Sequence, residues 1–485
     1  MKKIKISLFL ILLTGLLFRF IHLGDLSFWC DEFLAIFLGY HPLKWMVRYI
    51  TFNDAHPPLF YTFVHFLLKG GNSEFYLRIL PAFSGILCII FFYFLGKEIK
   101  DEKTGIILAL IIAFNPAHIL WSRILKSYSL FTFLVIISLW YFLKIIKKER
   151  FAYWTSFFIS NLALLYLHNF SFIIILIEFL TLVSAKKLSK KWIIYFFLLF
   201  TAYLPWIVRI PHQFKFTLGV RRPIPLGFRY LYTVFYFFLG ESVNPFNMKV
   251  VIPAFLIYGC LIIKGILALS EIEKEKRILT LYGTVLPFFL IPFPSTVPQN
   301  LIPYSIFWYL IISLPFQKIK FKPIFLLLLL FPFSISDYFY FSKKTSQFHD
   351  VSKLIPYREI GKTISMLSHK EDIILITEKR LSPIGKKEIS PFDWYYNGKA
   401  KVIDIPEGKL SVEEISYLCR GYKRIYLFLN YTSGSFKWCD LLKKYFAENY
   451  KKLWERKYLY NERLLSRLRG KRRFYWAVEI YIFKN

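Results

Sequence analysis

Two adjacent carboxylates, Asp31 and Glu32, follow the first apolar run of the chain in the stretch SFWCDEFLAIF. One interpretation is a solvated helix start, because the backbone dipole favours acids in the first turn of a helix. The other is chemical, since a positioned carboxylate can act as a general base. Neighbouring residues on a helix point about 100° apart, so the two carboxylates would not share one task. One would take a proton while the other orients a substrate.

His56 stands immediately before Pro57 and Pro58 in the stretch NDAHPPLFY. Proline is well tolerated in the first turn of a helix, so this stretch indicates a helix N-terminus. Helix N-termini attract phosphate, and His56 would add a hydrogen bond or a positive charge there. The alternative interpretation is a helix cap that only shapes the loop.

Further polar side chains lie at the ends of apolar segments. They are Arg78 in EFYLRILPAFSG, Arg123, Lys126 and Tyr128 in WSRILKSYSL, and His168 in LYLHNFSF. A single cation at such a position commonly extends its charged head to water, and a single histidine is more often a turn residue than a ligand. Several cations together with His56 and two carboxylates indicate a site instead.

The elements that must position these residues are membrane helices. The chain of 485 residues is 56% hydrophobic with a mean hydropathy of +0.44, and about thirteen apolar segments can be marked in it. Two of them, near 57–69 and 229–240, are short. If those two do not cross the bilayer, the basic segments GKEIKDEKTG, KKER, KKLSKK, EIEKEKR and QKIKFK all lie on the side of the N-terminal lysines, as the positive-inside rule requires.

We therefore predict an α-helical polytopic membrane protein with about eleven full spans and two short interfacial helices. It would be a multi-pass protein of the cell membrane, with a cytoplasmic N-terminus and an extracytoplasmic C-terminal domain. All the candidate site residues then lie on the outer face of the membrane.

The last part of the chain has a different composition. From Thr345 onward the apolar runs shrink to strand length, as in DIILIT and RIYLFL, and alternate with helical stretches, which predicts a soluble α/β domain. We predict a transmembrane domain over 1–341 and an extracytoplasmic domain over 342–485. The run KKLWERKYLYNERLLSRLRGKRR is either a solvated basic surface or an attraction for anionic lipid head groups or an acidic acceptor.

Charge and cysteine content exclude some function classes. The formal net charge is +33, but no nucleic-acid module is visible, so anionic membrane lipids are the expected partner and nucleic acid is not. The five cysteines show no metal-ligand spacing. Cys419 and Cys439 would be able to pair in an oxidising compartment, and the sequence leaves this open.

Taken in order, these stretches resemble the GT-C membrane glycosyltransferases, namely the protein O-mannosyltransferases and the transferases that modify lipid A with aminoarabinose. The matching pieces are WCDE, HPPLFY, SEFYLRILPAFSG, the junction S-R-x-x-K-S-Y-S-L, LHNF, and a soluble tail with IPYREIGKTI and EDIILIT. Relatives usually carry arginine at Lys126, so charge is kept here but forked phosphate recognition is lost. Many also carry arginine where Gln299 stands, and Arg221, Arg222 or Arg229 are candidates to replace it.

The resemblance implies a glycosyltransferase that moves a sugar from a polyprenyl-phosphate donor to an extracytoplasmic lipid, glycan or protein acceptor, with inversion. It implies that Asp31 is the base and that Glu32 positions the acceptor or adjusts Asp31. The residues expected to hold the donor phosphate are His56, Arg78, Arg123, Lys126, Tyr128 and His168. Such cations can stabilise a leaving phosphate, so no cofactor is required, while a divalent metal stays an open question.

Two other functions fit part of the pattern. A transporter or flippase of a lipid-linked sugar would explain the spans and the intramembrane charges, but it predicts internal repeats and polar residues at mid-span. No convincing repeat is visible, and the polar residues cluster at outer ends. A non-catalytic subunit that binds polyprenyl phosphate is the third possibility, and the missing arginine near Gln299 is its only support.

Overall fold

The computed structural model describes residues 2–218, 225–293, 296–318, 322–343, 352–377, 390–431, 436–460 and 476–484. The chain forms two compact units, of which the first contains residues 1–24 and 38–342 and the second contains residues 25–37 and 343–485. The two-domain division predicted from composition places residues 25–37 with the membrane part. In the structure this segment, which contains Asp31 and Glu32, packs with the second unit.

Helices make up nearly all of the described first unit. In chain order they are α1 (Lys2–Phe20), α2 (Cys30–Gly39, which continues from the second unit into the first), α3 (Leu43–Asn53), α4 (Leu59–Leu67), α5 (Glu74–Ile99), α6 (Glu102–Phe114), α7 (Pro116–Ser122), α8 (Tyr128–Lys147), α9 (Phe151–Leu167), α10 (Phe172–Ser184), α11 (Lys190–Ile207), α12 (Ile210–Leu218), α13 (Leu226–Leu239), α14 (Met248–Ala268), α15 (Lys274–Val285), α16 (Ser305–Ser313) and α17 (Lys322–Phe341).

Four helices among the described residues are long and apolar enough to cross a membrane, namely α5, α8, α14 with its extension to Glu271, and α17. A fifth span is possible if the bent pair α6 and α7 counts as one. Shorter apolar helices cover Ile6–Phe20, Phe151–Leu167, Asn169–Ser184 and Leu226–Leu239. A multi-pass α-helical protein is thereby confirmed, whereas the count of eleven spans stays a prediction.

The two segments predicted to be short are helices α4 and α13, of 9 and 14 residues. At 1.5 Å rise per residue they extend about 14 and 21 Å, less than the roughly 30 Å of a hydrocarbon core. Neither helix is therefore long enough to cross a bilayer alone.

The junction between α6 and α8 is shaped by local capping. Pro116 lacks a backbone N–H and cannot continue α6, while the Asn115 side chain accepts a hydrogen bond from the His118 N–H at 3.2 Å and begins α7. Helices α6 and α7 meet at 61°. Helix α7 ends at Ser122, so Arg123 and Lys126 lie in the turn before α8, and Tyr128 is the first residue of α8.

The second unit contains one five-stranded sheet in the order β2-β1-β3-β5-β4. Its strands are β1 (Ile373–Ile376), β2 (Lys401–Asp404), β3 (Arg424–Asn430), β4 (Lys451–Tyr460) and β5 (Trp476–Lys484). Its helices are α18 (Tyr357–Leu367), α19 (Pro391–Tyr395), α20 (Val412–Cys419) and α21 (Phe436–Asn449). Strand β1 is parallel to β2 and β3, whereas β5 is antiparallel to β3 and β4. The stretches DIILIT and RIYLFL therefore form the predicted strands.

Residues 25–37 are held to the second unit by specific contacts. The Phe28 N–H donates to the Tyr395 hydroxyl at 2.8 Å, and the Ser27 hydroxyl accepts from the Arg358 N–H at 2.9 Å. The rings of Phe28 and Phe33 lie edge-on to Trp394, with centroids 6.3 and 6.1 Å away. These contacts fix the start of α2 and with it the two carboxylates.

Two further expectations concern the second unit. Cys419 and Cys439 are both buried free thiols, and the Cys439 sulfur lies 3.7 Å from the Thr377 hydroxyl. The basic run 451–473 begins as strand β4, and its part beyond residue 460 lies outside the described residues.

Candidate active site

The loop between α3 and α4 carries a buried carboxylate, Asp54. Its Oδ1 atom accepts hydrogen bonds from the Ala55 N–H at 2.6 Å and from His56 Nδ1 at 3.0 Å. Its Oδ2 atom accepts a hydrogen bond from the Tyr61 hydroxyl on α4. Because His56 donates through Nδ1, its Nε2 atom points away from Asp54 and stays available to a ligand.

Opposing effects act on the pKa of Asp54. Burial raises it, but the positive charge and hydrogen bond of His56, the charge of Lys126 and the Tyr61 hydrogen bond together hold the pKa below its ordinary value. Asp54 is therefore an anion whose hydrogen bond fixes the orientation of the His56 ring.

His168 ends α9 in the turn before α10, and its ring is buried. The Nδ1 atom accepts a hydrogen bond from the Phe170 N–H at 3.1 Å, so the hydrogen of the neutral ring is on Nε2. The buried Nε2 atom has no hydrogen-bond partner among the described residues. Leaving a buried donor unpaired costs about 1 to 3 kcal/mol, and such a group calls for an explanation.

Aromatic contacts fix the orientation of the His168 ring. It stacks on Phe131 with centroids 4.9 Å apart, and the His56 ring lies edge-on to it at 5.0 Å. Burial, together with the charges of His56 and Lys126, lowers the pKa of His168 well below its usual value, although Asp54 acts in the opposite direction. His168 is therefore a neutral donor beside charged neighbours.

Lys126 and Tyr128 complete this group at the start of α8. Lys126 is buried, and its charge acts on both Asp54 and His168. The Tyr128 ring lies 6.2 Å from the His168 ring, and its hydroxyl donates to Asn300 Oδ1 at 3.1 Å. We call the group formed by Asp54, His56, Lys126, Tyr128 and His168 the histidine cluster.

Two amide side chains tie together the segments that carry the cluster. Asn169 Nδ2 donates to the Ala55 carbonyl at 2.7 Å and to Gln213 Oε1 at 3.0 Å. Gln213 Nε2 in turn donates to the His56 carbonyl at 3.1 Å. The turn after α9 and helix α12 therefore hold the loop in which Asp54 and His56 lie.

The two candidate arginines contact the end of α1 and the turn that follows it. Arg78 donates to the Leu23 carbonyl at 3.1 Å. Arg123 donates through Nη1 to the carbonyls of Phe18 and Arg19 at 2.9 and 3.2 Å, and through Nε to the Tyr340 hydroxyl at 3.1 Å. These contacts join α1, α7 and α17, so Arg123 has a packing role whatever else it does.

Three arginines were candidates to replace the arginine that relatives carry at the position of Gln299, and the structure describes one of them, Arg229. Arg229 lies near the start of α13 and donates through Nη2 to the carbonyls of Phe293 and Thr296 at 2.6 and 3.2 Å. Arg221 and Arg222 lie outside the described residues. Next to Gln299, the side chain that reaches the histidine cluster is Asn300.

The two carboxylates of the opening motif have different surroundings. Both lie in the first turn of α2. Glu32 is buried, and its Oε2 atom accepts a hydrogen bond from the Trp29 N–H at 3.3 Å, which stabilises the helix start as the dipole argument predicts. Asp31 is partly exposed, and the Cys30 thiol lies 3.9 Å from its Oδ1 atom. Asp31 is therefore the more accessible of the two.

The structure places the predicted residues His56, Lys126, Tyr128 and His168 in one group, while Asp54, Asn169 and Gln213 were missed by sequence reasoning. The signal for Asp54 was its spacing two residues before His56, directly ahead of the proline pair. No group of three or more metal-ligating side chains occurs in the part of the chain that the structure describes.

Comparison with known proteins identifies the class of this fold. A family model described as dolichyl-phosphate-mannose-protein mannosyltransferase matches residues 55–208, a segment that contains every residue of the histidine cluster except Asp54. No curated protein matches the chain by sequence.

Solved structures match over almost the whole chain. ArnT from Cupriavidus metallidurans in the apo state has a TM-score of 0.59 at 10% identity, with 97% of both chains covered. The same protein bound to undecaprenyl phosphate has a TM-score of 0.55 at 10% identity, again over 97% of both chains. The oligosaccharyltransferase AglB from Archaeoglobus fulgidus, in complex with an inhibitory peptide and a dolichol-phosphate, has a TM-score of 0.55 at 12% identity, over 93% of this chain and 73% of AglB.

The resemblance to the GT-C membrane glycosyltransferases is thereby confirmed, and the chain has the GT-C fold. The apolar helices and these matches together indicate a multi-pass membrane protein with this fold.

Proposed function

We propose that this protein transfers a sugar from a polyprenyl-phosphate donor to an acceptor on the extracytoplasmic face of the membrane, with inversion at the anomeric carbon. The observation that carries the proposal is the histidine cluster, in which a buried lysine and a histidine with an unpaired Nε2–H donor lie beside His56. Such donors suit a phosphate monoanion or dianion. The two similar proteins solved with undecaprenyl phosphate and dolichol-phosphate support the same class of donor.

In the proposed reaction, the histidine cluster binds the donor phosphate and Asp31 acts on the acceptor. The lone pair of an acceptor hydroxyl or amine forms a bond to the anomeric carbon, while Asp31 takes the acceptor proton. The bond between that carbon and the phosphate oxygen breaks, and its electrons stay on the departing polyprenyl phosphate. Lys126, His56 and His168 stabilise the charge that develops there.

Within the cluster, Asp54 is a positioning residue and has no direct part in the chemistry. Its hydrogen bond to His56 Nδ1 fixes the imidazole, while the Tyr61 hydroxyl and the Ala55 N–H hold the carboxylate itself. His56 thereby presents its Nε2 edge to the phosphate.

The test of this function is transfer by the purified full-length protein in neutral detergent. Radiolabelled polyprenyl-phosphate sugars are supplied one at a time with membrane extract as the source of acceptor, and transfer of label to the acceptor is expected for one of them. Binding of the labelled donor without transfer would favour a non-catalytic subunit. Movement of intact donor across proteoliposome membranes would favour a flippase.

Addition of EDTA to the working reaction tests whether transfer depends on a divalent metal, and an unchanged rate of transfer is expected.

Replacing Asp31 separates chemistry from binding. A positioned base contributes about a hundredfold to ten-thousandfold in rate, and Asp31→Asn keeps the size of the side chain while removing its basicity. Donor binding should survive while transfer collapses. Glu32→Gln is the matched control, because an amide oxygen can still accept the Trp29 hydrogen bond. Loss of transfer in Glu32→Gln alone would exchange the two roles.

The orientation of the second unit is tested separately. Lys399 is exposed in the second unit, so Lys399→Cys gives a label site after the exposed Cys30 and Cys260 are changed to serine. We expect an impermeant maleimide to label this cysteine in intact cells. Labelling only after lysis would place the domain in the cytoplasm.

A further inference from the structure

A cavity of about 580 Å³ lies within the second unit, apart from the residues of the histidine cluster. Its walls are residues Asp25, Leu26, Ser27, Lys343, Leu354, Ile355, Pro356, Arg358, Glu359 and Lys362. Three of these side chains are cationic and four are apolar. We propose that this cavity binds the phosphate-bearing head group of an anionic membrane lipid.

The charges of the cavity favour an anion. Lys343 and Lys362 are exposed, and neither has an ion-pair partner among the described residues. The charge of Glu359 is matched by Arg456 on β4, whose guanidinium lies 2.5 Å from its carboxylate. The wall also carries the Arg358 guanidinium and the Asp25 carboxylate, so its cationic side chains outnumber its carboxylates.

The first turn of α18 adds to this electrostatic preference. The helix begins at Tyr357, between Pro356 and Arg358 of the cavity wall, and the positive end of its dipole attracts negative charge. The Arg358 N–H is already bonded to the Ser27 hydroxyl, so the backbone hydrogen bond fixes the wall and the side chains supply the anion contacts. Arg358 and Lys362 are four residues apart and therefore project from the same face of the helix.

Chain connectivity favours a lipid over a soluble anion. Lys343 follows the end of α17, a candidate membrane span, by two residues, and two residues extend at most about 7 Å. The cavity wall therefore starts close to where the chain leaves the membrane. Basic residues at that level are attracted to anionic lipids, and the apolar walls from Leu26, Leu354, Ile355 and Pro356 suit the glycerol backbone and first acyl carbons of such a lipid.

The test uses the purified full-length protein in neutral detergent with dihexanoyl-phosphatidylglycerol as the probe. Bound lipid is counted by native mass spectrometry across a titration, with dihexanoyl-phosphatidylcholine as the zwitterionic comparison. The variant Lys343→Gln/Lys362→Gln should bind the anionic probe roughly tenfold to thirtyfold more weakly, if each lysine contributes as basic residues near charged lipid do. The matched control is Lys370→Gln/Lys437→Gln, which removes the same charge from exposed positions of the second unit outside the cavity.

Each outcome decides for or against the proposal. Weaker binding in the cavity variant alone supports it. An equal loss in both double variants, a loss in neither, or equal affinity for the zwitterionic probe overturns it. Displacement of the lipid by millimolar inorganic phosphate would identify a soluble anion as the ligand and would also contradict the proposal.

Two controls make the result interpretable. Lys362→Gln alone alters an exposed position on α18 and should keep the fold, so it serves if the double variant is unstable, and a severalfold loss is expected. The assay contains no sugar donor. Its failure therefore leaves the proposed transferase unaffected, and failure of transfer leaves this site unaffected.

Discussion

Two buried polar groups in the first unit differ in how completely their hydrogen bonds are satisfied. The histidine cluster lies in loops and at helix ends, and the Nε2–H donor of His168 has no partner among the described residues. A second group, which we call the glutamate network, consists of Ser138, Asn161, Glu178 and Tyr195. Its members lie inside α8, α9, α10 and α11, and each of their polar side chains has a partner.

Hydrogen-bond geometry explains how the glutamate network is satisfied. Ser138 Oγ lies 2.8 Å from Asn161 Oδ1 and 2.5 Å from Glu178 Oε1. A hydroxyl has one hydrogen, so it can donate in only one of these contacts, and a proton on Glu178 supplies the other. Asn161 Nδ2 donates to Glu178 Oε2 at 2.9 Å and to the Tyr195 hydroxyl at 2.8 Å. Each polar side chain of the network therefore has at least one hydrogen-bond partner, and a protonated Glu178 accounts for both contacts of Ser138.

This difference separates a group suited to a ligand from a group suited to holding helices together. A network in which each side chain has a partner stabilises helix contacts inside a membrane by modest amounts. An unpaired donor beside cations costs stability and gains its partner only when an anion arrives. The following variants test whether this contrast holds.

The largest effect is expected for Lys126. Lys126→Met removes the buried cation whose charge acts on both Asp54 and His168 while keeping an apolar stem of similar length. Loss of a charge-assisted hydrogen bond to phosphate costs up to about 3 kcal/mol, or roughly 150-fold in the dissociation constant of the donor. Equilibrium binding of a labelled polyprenyl-phosphate sugar measures it. Lys126→Arg is the control and should retain most affinity; unchanged affinity in Lys126→Met would remove the lysine from the site.

The next effect concerns stability alone. Glu178→Ala leaves Ser138 and Asn161 without their partner and should lower the free energy of unfolding by about 1 to 2 kcal/mol, with donor affinity unchanged. The thermal midpoint in detergent measures the first effect and donor titration the second. Glu178→Gln is nearly isosteric with a protonated glutamate and should remain close to wild type. A large loss of stability in the Glu178→Gln variant would show that Glu178 is ionised in the folded protein.

His168 should show the opposite pattern. His168→Phe keeps an aromatic ring against Phe131 but removes the unpaired donor, so we expect donor affinity to fall about tenfold, near 1.5 kcal/mol. The thermal midpoint should stay the same or rise, because a buried unsatisfied group has been removed. A lower midpoint with unchanged donor affinity would make His168 a structural residue and would erase the contrast with the glutamate network.

Parts of this contrast were predictable from the sequence. The motif HPP correctly indicated a helix start, since α4 begins at Leu59 directly after the proline pair, and the short strands were recognisable from their apolar runs. The partners of Arg123 were not predictable, because the carbonyls of Phe18 and Arg19 lie more than a hundred residues earlier in the chain. Asp54 was missed because a carboxylate in a loop is usually solvated, and only tertiary contacts bury it against Tyr61 and His56.

The last and smallest expected effect is the response of stability to acid. Since the pKa of His168 is lowered in the folded protein, the unfolded chain binds this proton more readily, and stability is lost as the pH falls below about 6.5. The loss from this residue should reach about 1.2 kcal/mol between pH 7 and pH 5.5.

Asp54 contributes nothing in this pH range. Its pKa is also lowered, so its contribution to stability is present above the ordinary aspartate pKa and disappears only in stronger acid. The thermal midpoint of His168→Phe should therefore fall less than that of wild type between pH 7 and pH 5.5, while Asp54→Asn should leave the slope in this range unchanged. Equal slopes for wild type and His168→Phe would mean that His168 is not buried as a neutral group, and the unpaired Nε2–H donor would no longer distinguish the histidine cluster from the glutamate network.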